Sequence, residues 1–110
     1  MYTIFETIPF TQIRCNYWND EEYGDFCRFL AENPEAGEVV TKSGGVRKVR
    51  WALPGTGKSG GVRVIYYCRL EYGQIWLMTL YSKSKTANLP PHVLKNLKEY
   101  LEDTLENGYE

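Results

Sequence analysis

The stretch that decides the fold is residues 62–83, Val-Arg-Val-Ile-Tyr-Tyr-Cys-Arg-Leu-Glu-Tyr-Gly-Gln-Ile-Trp-Leu-Met-Thr-Leu-Tyr-Ser-Lys. Residues 62–70 and 74–83 are rich in β-branched and aromatic side chains, which predicts two strands. The short connection Glu71-Tyr72-Gly73 predicts a tight hairpin between them. Because the second run is apolar on both alternating faces at its centre, we expect it to lie in the middle of the sheet, covered on each side.

Alternation with a period of two assigns the side chains of these strands to faces. A further strand is predicted over residues 46–53, in which Val49 and Trp51 share the core face. Lys48 and Arg50 then lie on the opposite, open face. In the strand over 74–83 the same rule groups Ile75, Leu77, Thr79, Tyr81 and Lys83 on one face and Trp76, Met78 and Leu80 on the other.

Helix signals flank the strands on both sides. A short helix is predicted over residues 9–17, opened by Pro9. Asn19 followed by Glu22 three residues later predicts a capping box at the start of a second helix, which ends before Pro34. Pro90 and Pro91 open a last helix, whose leucines at 94, 97, 101 and 105 lie on one side.

These elements, with a first strand over residues 2–7 and a short edge strand or extended loop at 38–42, give the order β-α-α-β-β-β-α. Consecutive hairpins favour an antiparallel sheet. The sequence therefore predicts a single α+β domain over residues 1–110, with an antiparallel sheet of about four strands. Two N-terminal helices and a C-terminal helix pack on this sheet.

Composition excludes several classes of protein. The chain has 110 residues, of which 43% are hydrophobic and 25% charged, which is typical of one globular domain rather than a disordered chain. Three cysteines without a C-x-x-C spacing and a single histidine, His92, argue against a disulfide framework and a structural zinc site. Because no apolar run is long enough to span a membrane and no signal peptide opens the chain, we expect a cytoplasmic protein with no membrane partner.

The net charge of −1 hides a strong asymmetry along the chain. Residues 1–40 carry two cations and eight acids, and residues 86–110 carry two cations and five acids. Residues 41–85 carry nine cations and one acid. A basic centre between acidic flanks predicts a binding site for a polyanion such as RNA on one face of the domain.

One motif in the basic centre matches a nucleotide-binding pattern but lacks the structural context of such a site. Residues 52–59, Ala-Leu-Pro-Gly-Thr-Gly-Lys-Ser, match a relaxed nucleotide-binding P-loop pattern. A true P-loop follows a buried parallel strand and enters a helix that binds phosphate at its N-terminus. Here the pattern is followed by a strand-like run, so we interpret it as a glycine-rich hairpin loop in which Lys58 and Ser59 contact phosphate.

The residues of the basic centre have the chemistry to bind RNA and to cleave it without a metal or cofactor. Cleavage by the 2′-hydroxyl requires removal of its proton, stabilisation of negative charge on the phosphorane and protonation of the 5′-oxygen. Fixed cations supply the charge stabilisation, and a tyrosine or a lysine with a depressed pKa can move protons. The predicted catalytic residues are Lys48, Arg50, Arg63, Tyr81 and Lys83; the predicted RNA-binding residues are Arg47, Lys58, Ser59 and Lys85.

Three spaced motifs resemble the RelE/HigB-type toxins of bacterial type II toxin–antitoxin systems. They are Gly-Gly-Val-Arg-Lys-Val-Arg-Trp from residue 44, Gly-Lys-Ser-Gly-Gly-Val-Arg-Val-Ile-Tyr-Tyr from residue 57, and Ile-Trp-Leu-Met-Thr-Leu-Tyr-Ser-Lys from residue 75. The resemblance covers roughly residues 38–89. By it, the family's sheet cations fall on Lys48 and Arg50, its next-strand arginine on Arg63 and its closing cation on Lys83.

The resemblance implies a toxin that cuts mRNA in the ribosomal A site. It also implies neutralisation by a cognate antitoxin, a small helix-turn-helix protein like HigA, and contact with operator DNA only through that antitoxin. Well-known members have a catalytic tyrosine near the position of Leu89, so Tyr81 either takes that role or the role is absent. Two alternatives stay open: an RNA- or ribosome-binding translation inhibitor that does not cleave, and a degenerate toxin-like protein that regulates its operon through the antitoxin.

Overall fold

Five strands form one sheet in the order β1-β5-β4-β3-β2. The computed structural model describes residues 2–53, 61–82 and 89–107. The strands are β1 (Thr3–Glu6), β2 (Glu38–Val39), β3 (Arg47–Trp51), β4 (Val62–Arg69) and β5 (Gln74–Ser82), and the helices are α1 (Ile8–Arg14), α2 (Asp20–Glu32) and α3 (Pro91–Asn107). A 3₁₀ turn, Leu70–Tyr72, and Gly73 close the β4–β5 hairpin.

The α+β class is confirmed, but the prediction of about four antiparallel strands is wrong. β2, β3, β4 and β5 are antiparallel neighbours, whereas β1 pairs with β5 in parallel. A parallel neighbour needs a long crossover, and the chain between β1 and β5 contains two helices and three strands. The predicted edge strand at 38–42 forms for only two residues, which brings the count to five.

Helix ends follow the local signals in the sequence. The predicted capping box is confirmed: the Glu22 amide donates to Asn19 Oδ1 at 2.8 Å, and the Asn19 amide donates to Glu22 Oε1 at 2.9 Å. The first helix ends at Arg14 rather than near residue 17, because the chain turns there and buries Trp18 in the core.

The sheet separates two apolar clusters. The larger one lies under α1 and α2 and contains Phe10, Trp18, Phe26 and Leu30 with side chains from β3, β4 and β5. The smaller one lies under α3 and consists of Val46, Ile65, Met78, Tyr81 and Leu94. β5 supplies residues to both clusters, so the expectation that it is covered on each side is confirmed. It is an inner strand between β1 and β4, and the middle strand of the sheet is β4.

A carboxylate at the end of β1 joins the first strand to both N-terminal helices. Glu6 accepts hydrogen bonds from the Thr11 hydroxyl at 2.7 Å, from Arg14 Nε at 3.2 Å and from the Tyr23 hydroxyl at 2.7 Å. Burial alone would raise the pKa of Glu6, but the hydrogen bonds and the charge of Arg14 together lower it below its ordinary value. The ionised form is therefore the one that stabilises the fold.

We expect Glu6→Gln to reduce the free energy of unfolding by about 1–2 kcal/mol at pH 7, because it replaces charge-assisted hydrogen bonds with weaker neutral ones. A carboxyl whose pKa is lowered by folding contributes stability above its unfolded-state pKa, and that contribution is lost as the pH falls through the folded-state pKa. Calorimetry should therefore show the difference at pH 7 and a progressively smaller difference as the pH falls below 4.5, the ordinary pKa of a glutamate. The exposed Glu32→Gln serves as control, and a deficit that persists at low pH would contradict the role of the charge.

Candidate nucleic-acid interface

Three side chains lie in one row across the sheet, on the face toward α3. Arg50 of β3 pairs with Arg63 of β4, and Arg63 pairs with Tyr81 of β5. Residues directly opposite each other in antiparallel strands have Cβ atoms about 5 Å apart. Lys48 lies two residues before Arg50 and projects from the same face. The structure thus brings together four of the five predicted catalytic residues.

The position of Tyr81 in this row depends on a β-bulge. Tyr66 of β4 pairs with Leu77 of β5, whereas the preceding residue, Ile65, pairs with Thr79. Met78 is therefore an extra residue in β5. Such an extra residue interrupts the strict alternation of side chains between the two faces of a sheet.

The bulge overturns the predicted faces of β5. Leu77 and Leu80 both pack in the cluster under α1 and α2, while Met78 and Tyr81 both pack with Leu94 under α3. The predicted grouping of Tyr81 with Leu77, and of Leu80 with Met78, is wrong because a period of two does not survive an extra residue. The predicted faces of β3 are confirmed, since Val49 and Trp51 pack in the larger cluster.

Arg63 is buried and forms no ion pair with a carboxylate of the described residues. Arg63 is only 7% exposed. Its Nη1 atom has no hydrogen-bond partner among the described residues. A guanidinium that is removed from water without a counter-charge costs several kcal/mol of stability. An anionic ligand that reaches this atom would offset the cost, so the burial of Arg63 points to an anion site.

Neither Arg50 nor Arg63 takes part in an ion pair among the described residues. The ion pairs there use Arg14, Arg28, Arg47 and Lys98. In the sequence, residues 54–60 and 83–88 contain three cations, Lys58, Lys83 and Lys85, and no Asp or Glu.

The Tyr81 hydroxyl is a second buried polar group at this site. Tyr81 is 7% exposed, and its buried hydroxyl forms no hydrogen bond of good geometry within the described part of the chain. Burial raises the pKa of Tyr81, while the nearby Leu89 amide and the charge of Arg63 act in the opposite direction. The hydroxyl is therefore protonated at neutral pH and can donate a hydrogen bond or a proton.

A carboxylate that the sequence did not single out lies beside this row. Glu38 of β2 pairs directly with Lys48 of β3, so the two side chains share a face. Lys48 pairs with Ile65 of the next strand, β4, and Arg63 lies two residues before Ile65 on that strand. The position of Glu38 follows from the register between β2 and β3, which no short sequence pattern around residue 38 indicates.

Two side chains on the opposite face hold β2 in that register. The Arg47 guanidinium donates to the Gly37 carbonyl at 2.7 Å and pairs with the Glu35 carboxylate at 3.2 Å. The Tyr66 hydroxyl accepts from the Gly37 amide at 2.7 Å and donates to the Pro34 carbonyl at 3.0 Å. Arg47, predicted to bind RNA, is therefore not brought into the basic row and instead anchors the turn before β2.

The remaining predicted RNA contacts, Lys58, Ser59 and Lys85, and the predicted catalytic Lys83 lie outside the described residues. Gly61, which precedes β4, is at φ +87°, and a Cβ there would meet the Trp51 carbonyl oxygen at 2.3 Å. Only glycine permits this close approach of β4 to the end of β3.

No group of three or more His, Cys, Asp or Glu side chains suited to a metal ion occurs in residues 2–53, 61–82 and 89–107. Over the same residues, no helix is both long and apolar enough to cross a membrane. No protein-family model matches this chain.

We expect Arg63→Met to raise the free energy of unfolding by about 1–3 kcal/mol, because an apolar side chain of similar length replaces an unpaired buried charge. The same change should abolish the increase in melting temperature that added inorganic phosphate gives to the unaltered protein. Both quantities are measured by calorimetry at constant ionic strength.

Arg69→Met is the matched control, because Arg69 projects from the same strand but lies over the Tyr72 ring at 4.4 Å. This variant should keep the phosphate response. An Arg63→Met protein that is strongly destabilised, or that still responds fully to phosphate, would contradict the anion site.

Proposed function

We propose that this chain is the toxin of a type II toxin–antitoxin system, similar to RelE and HigB, and that it cuts mRNA in the ribosomal A site. The observation that carries the proposal is the row Arg50–Arg63–Tyr81, in which an unpaired buried guanidinium lies beside a buried, protonated tyrosine. A fixed cation and a fixed proton donor are two of the three groups that cleavage of RNA by its own 2′-hydroxyl requires.

The scissile phosphate would lie against the Arg63 guanidinium. In the phosphorane, negative charge on the non-bridging oxygens increases, and a guanidinium already fixed by burial stabilises it without reorganising. Arg50, exposed beside Arg63, and Lys48 contact the neighbouring phosphates of the RNA. Lys58, Lys83 and Lys85 lie outside the described residues, and their contacts with the RNA stay predictions from the sequence.

Tyr81 is the proposed general acid. The 2′-oxygen forms a bond to phosphorus, the bond from phosphorus to the 5′-oxygen breaks, and the Tyr81 hydroxyl protonates the departing oxygen. The products are a 2′,3′-cyclic phosphate and a 5′-hydroxyl. Because burial raises the pKa of Tyr81, the acid stays protonated across the physiological pH range.

Two groups on the same face can accept the proton from the 2′-hydroxyl. One is the Lys48 amine, and the other is the Glu38 carboxylate directly opposite it in the sheet. Loss of cleavage in Glu38→Gln with retained ribosome binding would assign the base to Glu38. Loss of cleavage in Lys48→Met with retained ribosome binding, and no loss in Glu38→Gln, would assign it to Lys48.

The proposal includes the partners of the toxin. It acts in the cytoplasm on ribosome-bound mRNA and uses no metal or other cofactor, since side-chain cations supply the charge stabilisation. A cognate antitoxin, a small helix-turn-helix protein like HigA, neutralises it and alone connects the pair to operator DNA. Support for these partners comes from the three sequence motifs.

The test adds purified protein to a reconstituted translation reaction and maps the 5′ ends of the mRNA. We expect new ends inside A-site codons, none in a reaction without ribosomes, and none with Arg63→Met. Arg69→Met should cut normally, because Arg69 lies at the far end of β4. This comparison separates loss of the basic row from general loss of positive charge.

Other outcomes would overturn the nuclease. Arrested ribosomes with intact mRNA would indicate a translation inhibitor that binds RNA without cutting it. The absence of a tyrosine at position 89, where the family resemblance leads us to expect one, favours this second candidate. No arrest at all would favour a degenerate toxin that regulates its operon.

We expect Tyr81→Phe to lower the cleavage rate by roughly 10²–10⁴-fold, the contribution typical of a general acid. Ribosome binding and melting temperature should stay unchanged or rise slightly, because the hydroxyl has no partner among the described residues. Between pH 6 and about pH 9 the unaltered protein should show no loss of rate from ionisation of Tyr81. Equal cleavage rates for the two proteins would contradict the role of Tyr81.

A further inference from the structure

The strand that carries Glu38 contributes little to its own position. β2 consists of only two residues, Glu38 and Val39, and it forms an edge of the sheet. Both residues are exposed, Val39 to 52%, so neither side chain of β2 is buried in the core. A strand this short at a sheet edge is only marginally stable by itself. The position of the Glu38 carboxylate therefore depends on the residues just before it.

Hydrogen bonds from two side chains meet at the residue that precedes Glu38. The Tyr66 hydroxyl accepts from the Gly37 amide at 2.7 Å and donates to the Pro34 carbonyl at 3.0 Å. The Arg47 guanidinium donates to the Gly37 carbonyl at 2.7 Å. Both backbone polar groups of Gly37 are thus held by side chains. We call these three hydrogen bonds the Gly37 anchor.

The Gly37 anchor is tightly packed. A Cβ on Gly37 would meet the Tyr66 hydroxyl oxygen at 2.8 Å and the Lys48 carbonyl oxygen at 2.9 Å, so the backbone at residue 37 fits closely between β3 and the Tyr66 ring. Tyr66 is fully buried in the larger apolar cluster, which fixes the position of its ring. Burial raises the pKa of Tyr66, so its hydroxyl stays protonated at neutral pH and keeps its donor.

The Gly37 anchor and the Glu38 carboxylate lie on opposite faces of the sheet. Neighbouring residues of a strand project to opposite faces, so a hold on Gly37 from one face sets the position of Glu38 on the other. Glu38 is directly opposite Lys48 in the β2–β3 pairing, which puts their Cβ atoms about 5 Å apart. Because a displacement of about 1 Å can lower a reaction rate roughly 10²-fold, the anchor can affect chemistry that it does not contact.

We propose that Tyr66 is a positioning residue for RNA cleavage, and that it acts by holding Glu38 as the base opposite Lys48. The inference rests on the proposed function and extends it to a residue on the far face of the sheet. Glu38 is favoured as the base because a carboxylate accepts protons at neutral pH, whereas a lysine ammonium has no acceptor. The Glu38 carboxylate takes the proton of the 2′-hydroxyl, the electron pair left on the oxygen forms the bond to phosphorus, and Tyr81 protonates the departing 5′-oxygen.

The first test measures the position of Glu38 without RNA. A carbodiimide joins a carboxylate to an amine that contacts it, and mass spectrometry of peptides from the full-length protein measures how much Glu38 is joined to Lys48. We expect the cross-link in the unaltered protein and loss of most of it in Tyr66→Phe. Arg47→Met removes another hydrogen bond of the Gly37 anchor and should lower the yield as well.

Tyr23→Phe is the matched control. The Tyr23 hydroxyl donates to Glu6 at 2.7 Å, and its ring packs against the same apolar cluster, but this contact joins α2 to β1 rather than to β2. Tyr23→Phe therefore also removes a tyrosine hydroxyl that forms a hydrogen bond, and it should keep the cross-link between Glu38 and Lys48.

The second test follows mRNA cleavage in the reconstituted translation reaction. At saturating protein, Tyr66→Phe should cut roughly 10–10²-fold more slowly with ribosome binding unchanged, whereas Tyr23→Phe should cut normally. Because Tyr66 acts through Glu38, Tyr66→Phe should cause no further loss in a chain that already carries Glu38→Gln. A purely structural role would lower the amount of folded protein and leave the rate per folded molecule unchanged.

Several results would overturn the role of Tyr66 and leave the nuclease in place. They are equal cross-link yields in the unaltered protein and Tyr66→Phe, normal cleavage by Tyr66→Phe or Glu38→Gln, and losses that add in the double variant. If the unaltered protein cuts no mRNA, the proposed function is wrong and the catalytic part of this inference is wrong with it. The cross-link then still decides whether Tyr66 holds Glu38 opposite Lys48.

Discussion

The pairing of β4 with β5 contains one residue more in β5 than in β4, and the arrangement of both faces of the sheet depends on it. Before the bulge, β5 places Ile75 and Leu77 in the core under α1 and α2. Beyond Met78 the alternation restarts with the opposite phase, so Leu80 returns to that core and Tyr81 faces α3. If β4 and β5 paired regularly with the same sequence, Tyr81 would lie on the face opposite Arg63 and would not belong to the row.

Burial of the Arg63 guanidinium has to be tolerated by the rest of the fold. The core under α1 and α2 is rich in packed aromatic rings: Trp18 stacks on Phe26 with centroids 5.0 Å apart, and Phe26 meets the edge of Trp51 at 5.2 Å. Such contacts contribute beyond the area they bury. Stability is thus concentrated on one face of the sheet, and the other face can carry two buried polar groups that lack partners among the described residues, as sites of function often do.

Local signals in the sequence were sufficient for individual elements and insufficient for their arrangement. The capping box at Asn19, the β4–β5 hairpin and the outward face of Lys48 and Arg50 all follow from residues close together in the chain. The parallel pairing of β1 with β5 could not be predicted in this way, because it is decided by packing between segments about 70 residues apart.

Within the candidate site, sequence patterns identified the residue types but not their contacts. The sequence shows that residue 63 is a cation. Its burial depends on how elements from three parts of the chain pack together, which no local pattern indicates. Glu38 was missed because it reaches the basic row only through the β2–β3 register, which the Tyr66 hydroxyl and Arg47 impose from the opposite face. Arg47 is predicted to bind RNA because of its charge. However, the alternation that puts Lys48 on one face of β3 puts its neighbour Arg47 on the other face.

Segregation of charge along the chain becomes segregation in space once the sheet forms. The basic residues of β3 and β4 meet at the end of the sheet beyond Ile65, while α3 carries four acids between residues 99 and 107. Tyr81 belongs to the same buried cluster as Leu94 of α3 and Met78 of β5. Because tightly packed clusters transmit small displacements, a change in the packing of α3 on the sheet reaches Tyr81 through this cluster.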